Sequence, residues 1–275
     1  MSNSCLNKNW KSTPPTFTAI NSFTWLMISA LFITLTPSAG FPANFSITPT
    51  SLDLSNGAKS GAFSVINSGN DKLNCQIEVK EWSQDANGKD VYTEARDMVY
   101  FPKIMTVNPN EQRAIRIGVK GAPSLQERTY RLFVEEIPSP KKAIDEKSEG
   151  KITAGLTIAF RYAIPIFVRP VRQHESGSIE QVDMLKGTIR ALVRNTGNIH
   201  FKLLGVTFRG KAADGNVLFS QEVAGWYVLQ GLSRAYEVNV PRELCANLAT
   251  IELTAQSENF NLNGTLNVHK GMCTQ

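Results

Sequence analysis

The sequence is poor in the residues that build reactive sites. It has three histidines and four cysteines in 275 residues. His174, His200 and His269 fall in a linker, after a turn and near the C-terminus. A zinc or copper enzyme on a β scaffold needs several ligands converging from facing strands, so no metal site is expected. No HExxH pair, GxSxG elbow, P-loop or Gly-rich dinucleotide loop occurs. No basic stripe interleaved with aromatics appears either, which argues against a nucleic-acid partner. No window has the 3.6-residue period of an amphipathic helix. Long apolar runs are also missing: "WLMISALFITL" (25–35) has eleven residues, too few for a comfortable membrane span. These absences predict a protein without catalytic residues or cofactor, not an enzyme.

What stands around that short apolar run is informative. Lys8 and Lys11 precede it and "TPSAG" (36–40) follows, with Ser38 and Gly40 at the −3 and −1 positions of a cleavage site. Basic start, short apolar middle and small-residue end read as a secretory signal peptide over residues 1–40. That segment holds two lysines and no arginine or acid, so its removal takes the formal net charge from +5 to +3. The mature chain is then exported, without a membrane span, and its remaining cysteines enter an oxidising compartment. Cys75 shares a strand face with Ile77 and Val79 and reads as a buried small hydrophobe. Cys245 and Cys273 flank the runs "TIELTAQ" (250–256) and "GTLNVHK" (264–270). If those runs pair antiparallel, facing positions sum to about 519 and the two cysteines meet at one end of the hairpin, where a disulfide is expected.

Nearly every other segment has strand character, with turn signals at short intervals. "ANFSITPTSLDL" (43–54), "SGAFSVINSGN" (60–70) and "KLNCQIEVKEW" (72–82) come first, and Asn87-Gly88 marks a hairpin. "PKIMTVNPNEQRAIRIGVK" (102–120) and "TYRLFVEEIP" (129–138) complete about seven strands in some 125 residues, the spacing of a Greek-key sandwich of immunoglobulin type. Past residue 170 the pattern begins again. Val-x-Asn-(Ser/Thr)-Gly-Asn occurs at 65–70 and at 193–198, in matching places of the two halves. The expectation is all-β, with two immunoglobulin-like β-sandwich domains at 41–169 and 170–275.

The stretch "GLTIAFRYAIPIFVRP" (155–170) alternates with period two: Leu156, Ile158, Phe160, Tyr162 and Ile164 form one apolar face. The segment before it, "SPKKAIDEKSEGK" (139–151), is strongly polar. A core strand needs no such neighbour. A strand that binds by β-augmentation does, since a displayed apolar edge is otherwise an aggregation hazard. On pattern alone the two readings stand level.

From residue 45 to 275 the chain resembles the periplasmic chaperones of bacterial chaperone–usher pili. The resemblance is most specific in "YRLFVEEIP" (130–138), the polar loop and "GLTIAFRYAIPIFVRP". It implies two immunoglobulin-like domains in an L, and a G strand lent to a pilin-like subunit whose own sandwich lacks its last strand. Leu156, Ile158, Phe160, Tyr162 and Ile164 would then be the subunit-binding residues. The partners implied are such subunits and an outer-membrane usher, the compartment is the periplasm, and self-association through the edge strand is a further use of it. An adhesive or structural two-domain sandwich is the alternative.

The basic residues with which the family grips the subunit's C-terminal carboxylate are missing. Pro165 stands at the G-strand position, and Thr50 or Ser51 at the first-strand position. In this the chain is similar to the divergent, archaic branch. Arg131, between Tyr130 and Leu132, is the replacement anchor expected, because an unpaired guanidinium in a strand is costly; Arg161 is the second candidate. An interdomain ion pair of the family falls on Glu127 and Arg169, and its third member falls on Asn259 beside Glu258.

Overall fold

The computed structural model describes residues 45–138 and 159–273. Ten strands make a first sandwich: β1 (Phe45–Thr48), β2 (Leu52–Leu54), β3 (Ser60–Asn67), β4 (Leu73–Gln84), β5 (Asp90–Glu94), β6 (Met98–Phe101), β7 (Ile104–Val107), β8 (Gln112–Val119), β9 (Arg128–Glu136) and β10 (Arg161–Val168). One sheet runs β1-β3-β8-β6; the other runs β2-β10-β9-β4-β5, with β7 also on β4. Eight more strands make a second sandwich: β11 (Gly177–Leu185), β12 (Thr188–Asn195), β13 (Phe201–Lys211), β14 (Val217–Ala224), β15 (Tyr227–Val228), β16 (Ser233–Asn239), β17 (Thr250–Ser257) and β18 (Asn261–Asn267). Its sheets are β11-β12-β16 and β14-β13-β17-β18, with β15 on β13. The helical pieces of the described residues are one turn, α1 (Arg242–Cys245), and a 3-10 turn at Lys270–Met272. The fold is therefore all-β, in two sandwiches, as the strand spacing predicts.

Two details differ from the sequence reading. Residues 43–54 read as one strand, yet the chain changes sheets within them. β1 pairs with β3, and β2 pairs in parallel with β10. The link between them carries a cis Thr48–Pro49 bond, and proline there has no N–H to give to either ladder. The C-terminal hairpin is β17–β18, with Thr250 facing Asn267 and Gln256 facing Asn261, so facing positions sum to 517 and β18 (261–267) starts and ends three residues earlier than the run 264–270 read as its strand. Cys245, at the end of α1, is joined to Cys273 beyond the open end of the hairpin, as expected, with a Cα–Cα separation of 6.0 Å.

Each sandwich buries its own core. The first is filled from Phe63, Val65, Ile77, Ile115, Ile117, Leu132 and Ile166, and the second from Ile189, Val193, Phe201, Val206, Phe208, Ile251 and Leu253. Cys75 is fully buried in the first core. Desolvation there, with the Glu136 carboxylate adding to it, pushes its thiol up to about 12, so it packs as a hydrophobe and is not a nucleophile.

The repeated Val-x-Asn-(Ser/Thr)-Gly-Asn stretch is a corner plug used twice. Asn67 Oδ1 accepts from Gly69 N at 2.9 Å, and its Nδ2 donates to Asp71 O (2.8 Å) and Val107 O (3.0 Å). Asn195 does the same in the second sandwich: Oδ1 accepts from Gly197 N (2.9 Å), and Nδ2 donates to Ile199 O (2.8 Å) and Val228 O (2.9 Å). Both amides are buried. Each therefore satisfies three backbone groups, among them the buried carbonyls of Val107 in the first sandwich and of Ile199 and Val228 in the second. Replacing Asn195 with Asp keeps the acceptor and the size but removes both donations. It should destabilise the second sandwich by about 2–3 kcal/mol, read as a lowered urea midpoint. An unchanged midpoint would mean that the carbonyls find other donors.

Candidate functional site

The edge of β10 is only partly covered. It pairs with β9 from Arg161 to Val168, but with β2 only from Ile166 to Val168. From Arg161 to Pro165 no strand lies on its outer side among the described residues. Glu136 N donates to Phe160 O (2.9 Å) and Arg169 N to Leu54 O (2.8 Å). Even-numbered residues of β10 thus bond to β9, and odd-numbered ones turn their backbone groups outward. The open row consists of Arg161, Ala163 and Pro165.

The side chains at the start of this half-strand are only partly buried. Phe160 and Tyr162 are half-buried and pack at the margin of the first core. Tyr162 meets the Phe45 ring edge-on at 5.0 Å and donates its hydroxyl to Phe45 O at 3.0 Å. Ile164 is part of that core, only 6% exposed. Leu156 and Ile158 lie outside the described residues.

Beside this edge, on the other face of the sheet, sits Arg131. It stands opposite Pro165 in the β9–β10 register and is 4% exposed. Its guanidinium carbon lies 3.8 Å from the centre of the Trp82 ring, with Trp226 and Tyr227 at 5.6 and 5.8 Å. Nη1 donates to Ala163 O at 3.1 Å, on the open row. Nε and Nη2 have no hydrogen-bond partner, and the nearest carboxylate, Asp90, is 3.9 Å away. Burial lowers the affinity of this guanidinium for its proton, against the pull of Tyr92, Asp90 and Tyr227. Arginine nonetheless stays charged at any ordinary pH. The result is a buried cation with one bond made and two nitrogens unmet. Arg161, in contrast, is half-exposed, 3.4 Å from Glu135 and 4.2 Å above the Phe133 ring.

Below Arg131 the two sandwiches meet. Trp82, Phe167 and Leu229 form a small core, with Tyr227 and Leu232 against it. Glu127 sits at its rim with its carboxylate fully buried. Arg169 Nη1 donates to Oε1 at 3.0 Å, and both the backbone N and the Nδ1 of His200 reach Oε2, at 2.8 and 2.7 Å. The imidazole stacks on Phe167, centroids 3.6 Å apart and planes within 16°. Arg169 Nε also meets Asp53 at 2.7 Å. Gln84 bridges the sandwiches, donating to Tyr227 O (2.9 Å) and accepting from Leu229 N (3.1 Å). Arg234 closes on Gly88 O. Gly88 has φ +77°, and a Cβ there would stand 2.5 Å from the Arg234 side chain and 2.9 Å from its Cα, so only glycine fits. Among the described residues no group of three or more His, Cys, Asp or Glu is placed to hold a metal.

Residues 44–173 match the family model described as "Pili and flagellar-assembly chaperone, PapD N-terminal domain". These residues are a pilus-assembly chaperone domain. Among solved structures it is similar to the CsuC–CsuE chaperone–tip adhesion subunit pre-assembly complex from archaic chaperone-usher Csu pili of Acinetobacter baumannii. That match has 19% identity and a TM-score of 0.57, and covers 80% of this chain and 98% of that one. It is also similar to the YadV chaperone, with 14% identity, a TM-score of 0.53, and 82% and 100% of the two chains covered. At such identities the likeness is one of fold. No curated protein matches the sequence.

The chaperone's junction is assembled differently from the expectation. Glu127 and Arg169 are in contact, but Asn259 donates to Glu175 (2.7 Å) rather than joining them. His200 takes the third place. The sequence shows this histidine only as a residue after a turn, yet it is nearly covered, with 10% of its side chain exposed. Asn198 was also missed: its Nδ2 donates to Leu125 O (2.9 Å) and its carbonyl accepts from Glu127 N (2.9 Å). The Trp82–Trp226–Tyr227 cage around Arg131 is likewise formed across the junction, so no local pattern announces it. Glu127→Gln removes the charge that Arg169 and His200 converge on while preserving shape. It should lower stability by about 1–3 kcal/mol, seen in chemical denaturation. A variant as stable as the parent would mean that Asp53 alone suffices to hold Arg169.

Proposed function

We propose that this chaperone works in the periplasm after cleavage of a signal peptide at residues 1–40, capturing pilin-like subunits by lending them β10 and passing them to an outer-membrane usher. The observation that carries the reading is the half-covered strand: an open backbone row from Arg161 to Pro165, with Phe160 and Tyr162 half-buried beside it. Such an edge can add a strand to an incomplete sandwich, its alternating side chains entering the acceptor's core. Leu156, Ile158, Phe160, Tyr162 and Ile164 are the donor residues of this reading. Each large apolar side chain buried contributes roughly 1.5–3 kcal/mol before ordering costs. Ile164 is already committed to the chaperone's own core, so the residues nearer the start of the strand supply most of the gain. The family is one of chaperones, not of enzymes, and nothing catalytic is assigned.

Co-expression with a pilin-like subunit, followed by size-exclusion of the periplasmic extract, tests this. A one-to-one complex is expected, and Phe160→Asp should abolish it while the free variant keeps its circular dichroism spectrum and a cooperative melt. Subunits equally soluble with and without the chaperone would sink the proposal.

Arg131 is the carboxylate anchor of the same reading. The family's G-strand cation is replaced by Pro165, and Arg131 faces that proline on the neighbouring strand with two nitrogens unmet. A subunit's terminal carboxylate would supply the missing acceptors once Trp226, 38% exposed, swings aside. Hydrogen bonds to a charged group contribute about 1.5–3 kcal/mol, or roughly ten- to hundredfold in affinity. Arg131→Met should weaken subunit capture by that factor and leave the free chaperone no less stable, because an apolar replacement removes a half-satisfied buried charge. A large loss of stability with capture intact would make Arg131 a junction residue only, and Arg161 the next anchor to test.

A further inference from the structure

A cavity lies away from both β10 and the junction, at one end of the second sandwich. It holds about 890 Å³ and is bordered by the disulfide and by Lys186, Arg242 and Lys270. No acidic residue lines it; Glu243, the acid adjacent to Arg242, is outside the lining. Among the described residues none of these three side chains has an ion pair or a hydrogen bond, whereas Lys80, Lys211, Arg113, Arg128, Arg161, Arg169, Arg190 and Arg194 each meet a carboxylate. Three unpaired cations around one concavity raise the local positive potential, which the walls focus.

The concavity is also built rather than incidental. Its walls come from three separate segments: the β11–β12 turn, the end of β16 with α1, and the C-terminal 3-10 turn. Gly187 N donates to Met272 O (3.0 Å), Val240 N donates to Gly187 O (2.9 Å), and Cys245–Cys273 closes the third side covalently. Lys186 is held at φ +50°, a conformation in which asparagine or glycine would be less strained. Thr188 and Asn239 add a hydroxyl and an amide, hydrogen-bonded to each other at 2.8 Å. The volume lies within the range of small-molecule sites, roughly 300–1,000 Å³.

We infer that this cavity is a binding site for a multiply charged phosphate-bearing anion, recognised by Lys186, Arg242 and Lys270. One carboxylate would leave most of the positive charge unmatched, whereas a phosphate carries up to two charges and three acceptor oxygens on a single group. The same chemistry is offered by a free phosphorylated small molecule and by a phospholipid headgroup.

The test uses the full chain, exported and with its disulfide formed. Pyrophosphate is titrated while the amide resonances of Gly187 and Lys270 are followed, and in parallel the protein is sedimented with phosphatidylglycerol–phosphatidylcholine vesicles. Saturable shifts at these amides, with a sub-millimolar Kd, are expected. The Kd should rise roughly two- to fivefold for each cation removed, and more than tenfold in the Lys186→Asn/Arg242→Gln/Lys270→Gln variant. A control, Lys72→Gln/Lys89→Gln/Lys120→Gln, makes the same change in net charge on exposed positions elsewhere and should bind like the parent. Lys270→Gln alone, on an exposed turn, carries the test if the triple variant fails to fold. Vesicle binding without a pyrophosphate response, lost in the triple variant, would support the site and assign it to headgroups. Absence of both responses, or equal losses in variant and control, would overturn the proposal.

Discussion

The backbone's demand for hydrogen-bond partners organises this molecule. A sandwich must close the edges of two sheets, and the first ten residues of the described chain serve both: β1 completes one sheet and β2 the other. Neither job is done along a full strand. The three residues of β2 cover only the end of β10, and the rest of that strand keeps a row of outward-facing groups. Everything proposed for the chaperone's work follows from this shortage of strand.

The second sandwich makes the shortage tolerable. β4, β9 and β10 are buried on both faces where it covers them. Val79 and Leu132 point to the first core, whereas Trp82, Phe167 and Arg131 turn the other way and are equally hidden. Contacts from Glu127 to His200, from Gln84 to Tyr227 and from Gly88 to Arg234 hold that cover in place. Without them the aromatic face around Arg131 would be wet, its guanidinium would find water, and the buried unmet donors would not exist. The anchor proposed for a subunit's carboxylate is thus a product of domain docking, not of the strand that carries it.

How much of this could be read in advance depended on range. Period-two alternation exposed β3, β4, β9 and β10 directly, because a strand's two faces are written in its own residues. The echo at 65–70 and 193–198 was equally visible, and its asparagine proved to be a buried plug in each half. Pro165 and the absence of a G-strand cation were legible against the resemblance. The sheet switch at Thr48–Pro49 was not, since both halves have strand character and only their partners differ. His200 failed for a similar reason: a polar residue behind a turn looks solvated until another domain is laid on it. The cation-lined cavity also escaped notice, because Lys186, Arg242 and Lys270 are scattered over 85 positions and meet only through the turn, the helix end and the disulfide.

Pro165 sets a ruler on the open row. Arg161 and Ala163 can each give and take a hydrogen bond along that edge, but the proline has only its carbonyl there, and two residues further on β2 already occupies the place. Between Arg161 and Pro165 a guest strand therefore meets a run of about 13 Å, at some 3.3 Å per residue, that is donor-competent at one end and donor-silent at the other. Slipping the guest by two residues toward β2 would strand one of its carbonyls against a ring with no hydrogen to offer. Alignment of whatever pairs here is thus enforced by an atom that proline does not have.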